Sequence, residues 1–254
     1  MKRLWLNADD FGLTPGVSAG IVEAMVHGVV GTTTALLGCG GSAANISRFG
    51  GAIPGRIGLH LQLTNGRPTL PPADVPSLVD ESGGFPARRA AIRRPDPSEV
   101  AREWRAQLEA LRALGIEPTH LDSHHDVHLL PGVFDVYVEL ARAHGFRARA
   151  GSPRARNLLR ARGVGCADHF TAGFESPRTG VEDLIAILTE AGQGMTDGEL
   201  LELMCHPGHP DATLAAISRY AVERGREFET LLEPGLVRRI EAVGFRVVRS
   251  GSDE

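Results

Sequence analysis

Lysine is almost missing from this 254-residue sequence, in which Lys2 is the only lysine among 27 basic residues. A single lysine at the second position offers no amine for Schiff-base catalysis and no lysine for a phosphate-binding P-loop. Cysteine is also scarce, and the wide spacing of Cys39, Cys166 and Cys205 excludes a disulfide framework and a Cys-x-x-Cys metal site. These absences remove several kinds of covalent and metal chemistry.

Long apolar runs, a positive net charge and a secretory leader are absent as well. No stretch approaches the ~18 consecutive apolar residues of a membrane span, and the opening MKRLWLNADDFG reaches carboxylates too early for a signal peptide. The formal net charge of −4 lacks the cationic excess that binds nucleic acids and membrane surfaces. We therefore expect a cytoplasmic protein with no membrane and no nucleic-acid partner.

Short apolar runs alternate with amphipathic segments along the whole chain. The pattern predicts strands at 3–7, 32–37, 56–63, 118–122, 146–150, 200–205 and 245–248. It predicts helices at 17–27, 97–114, 131–145, 181–191, 217–232 and 234–243. This rhythm favours an α/β fold with a mainly parallel sheet, formed by one domain over residues 1–254. The segment 64–96 is rich in Gly and Pro and is a candidate lid, whereas 151–180 has no clear assignment.

Polar side chains follow several of the predicted strands, and their distribution separates two parallel folds. They are Asp9–Asp10, His60, His124–His128 and His206. A barrel carries its chemistry at the C-terminal ends of many strands, whereas an open doubly wound sheet concentrates it at one switch point. No Gly-x-Gly-x-x-Gly follows the first strand, which removes the dinucleotide-binding fold. We predict a (β/α) barrel-like fold with its site at the C-terminal strand ends.

The adjacent carboxylates Asp9 and Asp10 leave the first strand in different directions. One of them can bind a metal ion while the other takes up a proton. The same dipeptide, together with Gly12, also fits a plain strand-to-helix turn.

Histidine is concentrated in THLDSHHDVH (119–128), which holds four histidines and two aspartates. Imidazole is a common metal ligand and neighbouring carboxylates orient it, so the segment favours a metal site over a polar loop. His60 in IGLHLQL resembles a buried core histidine when it is taken alone. His206, which precedes Pro207, fits either a site residue or a turn. Strand alternation places Cys205 on the opposite face from His206, so Cys205 is predicted to pack in the interior.

Several stretches of the chain, taken together, resemble one family. They are LNADDFGLTPGVSAGI (6–21), GVVGTTTALL (28–37), IGLHLQLTNGRP (57–68), PTHLDSHHDVH (118–128), LELMCHPG (201–208) and the segment 218–234. The sequence is similar to the YdjC-like carbohydrate deacetylases, which include chitooligosaccharide deacetylases and are related to NodB-type deacetylases. The resemblance implies a barrel-like fold and a hydrolase that removes acetate from an N-acetylated carbohydrate.

The resemblance also implies roles for individual residues. It implies a divalent metal ion bound by Asp10, His60 and His124. Asp9 is then the catalytic base and His206 the acid. Arg149 matches an arginine near the base, and we include it among the candidate substrate-binding residues. The other two, Asn65 and Arg67 in the candidate lid, are placed to reach sugar hydroxyls.

The sequence departs from the family at one site position. The family usually reads HHHVH after the aspartate and serine, whereas this chain reads HHDVH, with Asp126 in place of the middle imidazole. Zinc suits the implied ligand set best, and magnesium, manganese or cobalt are alternatives. With two Trp and two Tyr, the chain lacks the aromatic residues of a long polymer groove, which favours a mono- or disaccharide. Trp104 is predicted to lie in the core, and the resemblance makes a homodimer plausible.

Two other functions remain open from the sequence. A metal-dependent phosphoesterase on a similar barrel would use the abundant arginines as phosphate clamps, but such sites usually hold two or three metal ions. A non-catalytic, metal-dependent sugar-binding protein would keep the ligands and would need neither Asp9 nor His206.

Overall fold

The computed structural model describes residues 1–249. Eight strands are present in this part: β1 (Lys2–Phe11), β2 (Thr32–Ala35), β3 (Ile57–Leu61), β4 (His120–Ser123), β5 (Arg147–Ala148), β6 (His169–Thr171), β7 (Leu200–Cys205) and β8 (Phe245–Val248). The helices are α1 (Pro15–Val26), α2 (Ser42–Phe49), α3 (Pro97–Ala113), α4 (Phe134–His144), α5 (Pro153–Ala161), α6 (Val181–Gly192), α7 (Ala212–Ile217), α8 (Val222–Leu231) and α9 (Leu236–Ala242). None of these helices combines the length and the apolar character needed to cross a lipid bilayer.

All strand pairs are parallel, and seven strands follow the order β5-β4-β3-β2-β1-β7-β6. The long strand β1 also has two neighbours on one side, because β8 pairs with Lys2–Trp5 and β2 pairs with the residues that follow. The sheet curls into a half-barrel. Its edges β5 and β6 are joined by no strand pairing among the described residues. The predicted parallel, barrel-like α/β fold is therefore confirmed.

Most predicted elements are present with shifted ends, since packing decides where a helix or strand stops. Helix α1 begins at Pro15, two residues before the predicted start, and the Thr14 side chain accepts a hydrogen bond from the N–H of Val17. The single helix predicted at 217–232 was wrong, because α7 and α8 are separated there. Helix α2 was missed, and the unassigned segment 151–180 contains α5 and β6.

The segment 64–96 is fastened to helix α3. The buried carboxylate of Glu103 accepts hydrogen bonds from the N–H groups of Thr69 and Leu70 at 2.8 and 3.0 Å. Glu99 accepts two more from the backbone and side chain of Ser77. Because an irregular segment has few hydrogen bonds of its own, these carboxylates supply the acceptors that its backbone needs.

Trp104 and Cys205 lie in the core, as predicted. Trp104 is fully buried and its indole N–H donates to the carbonyl oxygen of Gln62 at 3.3 Å. The thiol of Cys205 is also buried and contacts the carbonyl oxygen of Asn7 at 3.4 Å.

Candidate active site

A cavity of about 700 Å³ opens at the C-terminal ends of the strands. Asp9 and Asp10 come from β1, His60 from β3, His124 directly follows β4 and His206 directly follows β7. The curvature of the sheet thus brings these five side chains, distant in sequence, to one cavity wall. This is the end of a parallel sheet at which barrel enzymes carry their chemistry.

A bulge at the end of β1 separates the directions of Asp9 and Asp10. Against β2, the register advances three residues from Ala8 to Phe11 while the partner strand advances two. Asp10 has a φ of +72°, in the left-handed region that aspartate tolerates better than most residues. A bulge redirects side chains relative to simple alternation. The two neighbouring carboxylates therefore point into different surroundings.

Asp10, His60 and His124 point their ligand atoms at a common position. Oδ1 of Asp10 lies 3.4 Å from Nε2 of His60 and 3.1 Å from Nδ1 of His124. Two ligands at ~2.1 Å from one ion are about 3.0–3.4 Å apart for right-angled to tetrahedral geometry. Within residues 1–249, Oδ1 of Asp10 is also buried without a hydrogen-bond partner. The donor types, the spacing and the unsatisfied oxygen all fit a divalent metal ion.

The carboxylate of Asp122 orients His60 from behind. Its Oδ1 lies 2.6 Å from Nδ1 of His60, which assigns the proton to Nδ1 and leaves Nε2 free to act as a ligand. Burial disfavours a charged ring, but the carboxylates of Asp122 and Asp10 outweigh it and raise the pKa of His60 well above its ordinary value. The same negative potential that retains a proton here also attracts a metal cation.

A buried arginine holds both carboxylate oxygens of Asp9. Nη1 and Nη2 of Arg149 donate to its two oxygens at 2.6 and 2.8 Å, and Asn7 donates to Oδ1 at 2.9 Å. Burial would raise the pKa of Asp9, but Arg149 more than offsets it and holds that pKa below its usual range. Arg149 also bonds Asp122 and Glu202, and it lies behind the cavity wall, outside the lining residues.

His206 faces the cavity beside an arginine that the sequence reasoning missed. Arg224 on α8 is buried and its Nη2 donates to Oδ2 of Asp10, so Oδ1 is the oxygen left for a metal ion. Burial and the positive charge of Arg224 lower the pKa of His206 to about 4. Glu227 and Tyr220, also missed, contact the backbone and the ring of His206. The motif at 218–234 marked this segment without indicating which side chains turn inward.

The remaining histidines of 119–128 divide into interior and cavity-facing groups. His120 and His128 are buried, bonded to Asn7 and Ser123 at 2.8 and 2.6 Å, and burial lowers the pKa of each to about 3. His125 lines the cavity and stacks on His124 with the ring centroids 3.9 Å apart. Only part of the histidine cluster therefore surrounds the cavity.

Three further residues named from the sequence occupy different places. Asn65 lines the cavity, with its Nδ2 3.4 Å from Nε2 of His124. Asp126 also lines it, in the left-handed conformation with a φ of +51°. Arg67 is exposed and lies outside the lining residues, although its N–H donates to the carbonyl oxygen of Gly38 at 2.8 Å.

The protein is a parallel α/β half-barrel in which one aspartate and two histidines converge at the C-terminal rim of the sheet. The chain belongs to the YdjC-like family, whose model, described as YdjC-like protein, matches residues 3–242. The motifs of β1, β3, β4 and β7 lie within the matched range.

The relatives match over nearly their whole length. A carbohydrate deacetylase from Geobacillus stearothermophilus is 36% identical, with 96% of this chain and 94% of that protein covered. A chitooligosaccharide deacetylase from Serratia marcescens is 37% identical, with 96% of each covered. A crystal structure of an Enterococcus faecalis protein named for cellobiose-phosphate cleavage superimposes with a TM-score of 0.87 at 33% identity, covering 97% of each chain.

Proposed function

We propose that this protein is a metal-dependent carbohydrate deacetylase, which hydrolyses the acetamide of a small N-acetylated sugar to acetate and an amino sugar. One observation carries the proposal. Oδ1 of Asp10, which is buried and has no hydrogen-bond partner in the described part of the chain, converges with His60 and His124 in the cavity that also holds Asp9 and His206. The deacetylase names of the relatives supply the chemical class.

Asp10, His60 and His124 would hold one divalent ion. A mixed set of one carboxylate and two imidazoles suits zinc best, with magnesium, manganese or cobalt as alternatives. When bound, the ion supplies positive charge that polarises an acyl oxygen and acidifies water. His60 contributes Nε2 because Asp122 occupies its other nitrogen.

Asp9 is the proposed base. The paired hydrogen bonds from Arg149 keep its carboxylate ionised at neutral pH and fix its plane. An ionised carboxylate in the cavity can take a proton from the attacking water, whose oxygen bonds to the acetyl carbon. Arg149 thus acts on the reaction through Asp9.

His206 is the proposed acid, which returns a proton to the departing nitrogen. Cleavage of the C–N bond without protonation would expel a strongly basic amide anion. Since the pKa of His206 is lowered to about 4, its ring is neutral in the resting site at neutral pH. It therefore has to gain its proton during turnover, and the proton lost by the water balances the proton gained by the nitrogen.

The cavity size favours a mono- or disaccharide. A volume of about 700 Å³ lies within the usual range of small-ligand sites. Asn65 and Arg67 are proposed contacts to sugar hydroxyls, and the segment 64–96 is the proposed specificity element. We also propose that the protein acts in the cytoplasm as a homodimer.

The proposal is tested by an acetate-release screen on metal-stripped protein. N-acetylated mono- and disaccharides are offered with Zn²⁺, Mg²⁺, Mn²⁺ or Co²⁺ added singly, and phosphate release from sugar phosphates is measured in parallel. Acetate release that requires an added ion is the expected result. Full activity without metal would overturn the mechanism, and phosphate release alone would favour the phosphoesterase. Tight binding of N-acetyl sugars with no product would favour a binding protein.

The substitution Asp9→Asn separates the base from the ligands. The amide cannot accept a proton from water, so we expect kcat to fall by about 10²–10⁴-fold while one equivalent of metal stays bound. Asp10→Asn is the matched comparison at the next position and should lose metal. Loss of metal in Asp9→Asn would instead identify Asp9 as a ligand.

A further inference from the structure

The turn that carries His206 is attached to helix α8 at two points. Its own N–H donates to Oε2 of Glu227 at 2.5 Å, and the N–H of Gly208 donates to the carbonyl oxygen of Arg224 at 3.2 Å. Glu227 and Arg224 are three residues apart and so share one face of the helix. Because Arg224 also bonds Asp10, the same helix face holds both the histidine turn and a candidate metal ligand.

The imidazole of His206 packs against an aromatic ring. Within residues 1–249, its buried Nδ1 makes no hydrogen bond. The ring of Tyr220 instead meets it edge-on, with the centroids 5.8 Å apart. The Tyr220 hydroxyl donates to Oε1 of Glu227 at 2.5 Å and accepts from the N–H of Ser176 at 3.0 Å. One carboxylate therefore fixes both the backbone of His206 and the ring beside it.

Glu227 itself is fully buried and is not among the residues that line the cavity. Both of its oxygens are occupied by donors, one from His206 and one from Tyr220. Its influence on a bound sugar must therefore pass through these two residues. Because two donors meet one buried carboxyl group, that group can hold the turn and the neighbouring ring in one position.

We propose that Glu227 and Tyr220 are positioning residues that set the direction of the His206 imidazole for proton transfer. The inference rests on the proposed function, because it assigns His206 the delivery of a proton. Proton transfer requires donor and acceptor within hydrogen-bond reach, and small displacements of a reacting group are costly. Loss of the Glu227 carboxylate should therefore reduce the rate of the chemical step without reducing substrate binding.

The test compares Glu227→Ala, Glu227→Gln and Tyr220→Phe with Glu229→Ala, an exposed position on the same helix. The substrate is the N-acetylated sugar that the wild-type protein deacetylates fastest. Glu227→Ala is expected to lower kcat by about 10- to 100-fold, with KM and calorimetric Zn²⁺ affinity within about twofold. Glu227→Gln should recover most of kcat, because its amide oxygen still accepts from the N–H of His206. Glu229→Ala should match the wild type.

A second measurement does not depend on turnover. In the ¹⁵N–¹H spectrum, the His206 amide should move upfield in Glu227→Ala and return towards its original position in Glu227→Gln. Unchanged kcat in Glu227→Ala, with only a lower Tm, would overturn the inference. If that variant does not fold, Tyr220→Phe decides the question, because it removes the hydroxyl that joins the ring to Glu227. Unchanged kcat together with an unchanged His206 amide in Tyr220→Phe would then overturn the inference. A wild-type protein that releases no acetate would refute the proposed function, while the amide shifts would still test the attachment of the turn.

Discussion

Arg149 contacts three buried carboxylates, and its hydrogen bonds are divided unequally among them. Asp9 receives both Nη groups, whereas Glu202 receives only Nε at 2.6 Å and its Oε2 has no partner among the described residues. Burial therefore raises the pKa of Glu202 to about 7, although Arg149 opposes the rise. Arg149 therefore keeps Asp9 ionised, whereas Glu202 is about half protonated near pH 7.

The substitution Glu202→Gln tests this unequal sharing. The folded protein keeps the Glu202 proton up to about pH 7, but the unfolded chain loses it near pH 4.5. The stability that the bound proton contributes is therefore lost as the pH rises from about 4.5 to about 7. The amide cannot ionise and still accepts from Nε of Arg149. We expect the difference in unfolding free energy, variant minus wild type, to increase by on the order of 2–3 kcal/mol from pH 4 to pH 8.

Urea unfolding at the two pH values measures this change, with Glu229→Gln as an exposed control. A difference between Glu202→Gln and wild type that is the same at both pH values would show that folding leaves the pKa of Glu202 near its ordinary value. Other groups, Glu227 among them, titrate in both proteins and cancel in the comparison.

At the scale of elements, helix α3 organises the irregular segment 64–96. The carboxylate of Glu103 accepts from two backbone N–H groups of the segment and from Nε2 of Gln107. The buried side chains Val75, Leu78 and Phe85 hold the rest of the segment against the core. Of its residues, Asn65 and Gly66 reach the cavity lining. A lid function would therefore involve the beginning of the segment.

The substitution Glu103→Ala should loosen this segment. It removes the acceptor of the part-buried hydrogen bonds from the N–H groups of Thr69 and Leu70, and such a bond contributes about 0.5–1.5 kcal/mol. We expect a lower Tm and faster proteolytic cleavage within 64–96. Glu109→Ala on the same helix removes only an exposed ion pair with Arg112 and should change stability by less than about 1 kcal/mol. Equal protease resistance of the two variants would contradict the anchoring role.

For the whole molecule, metal binding should couple to folding because the ligands come from β1, β3 and the turn after β4. A ligand that binds only the folded state stabilises it by about 2.7 kcal/mol at 100 times its Kd. For a chain of this length we expect Zn²⁺ to raise the Tm by about 5–10 °C above the value in EDTA. The rise should vanish in Asp10→Asn. An equal rise in that variant would place the ion elsewhere.

The sequence also predicted parts of the site, for physical reasons that can be stated. Parallel strands all end at the same rim, so polar residues after strand ends could be expected to meet there. Arg224 and Glu227 escaped this reasoning because charged residues on a helix usually face solvent. His120 and His128 appeared equivalent to His124 in sequence, although His120 and His128 are buried in the interior.

Hydrophobic periodicity by itself determined the parallel α/β fold, since alternating strands and helices have few arrangements that bury the apolar faces of both. Family motifs added the identity of the ligand candidates. The tertiary structure alone decided which atoms are free: Arg224 takes one oxygen of Asp10, Asp122 takes one nitrogen of His60, and Arg149 takes both oxygens of Asp9. These pairings join residues 62 to 214 positions apart, and such long-range contacts follow from packing, which no local pattern encodes.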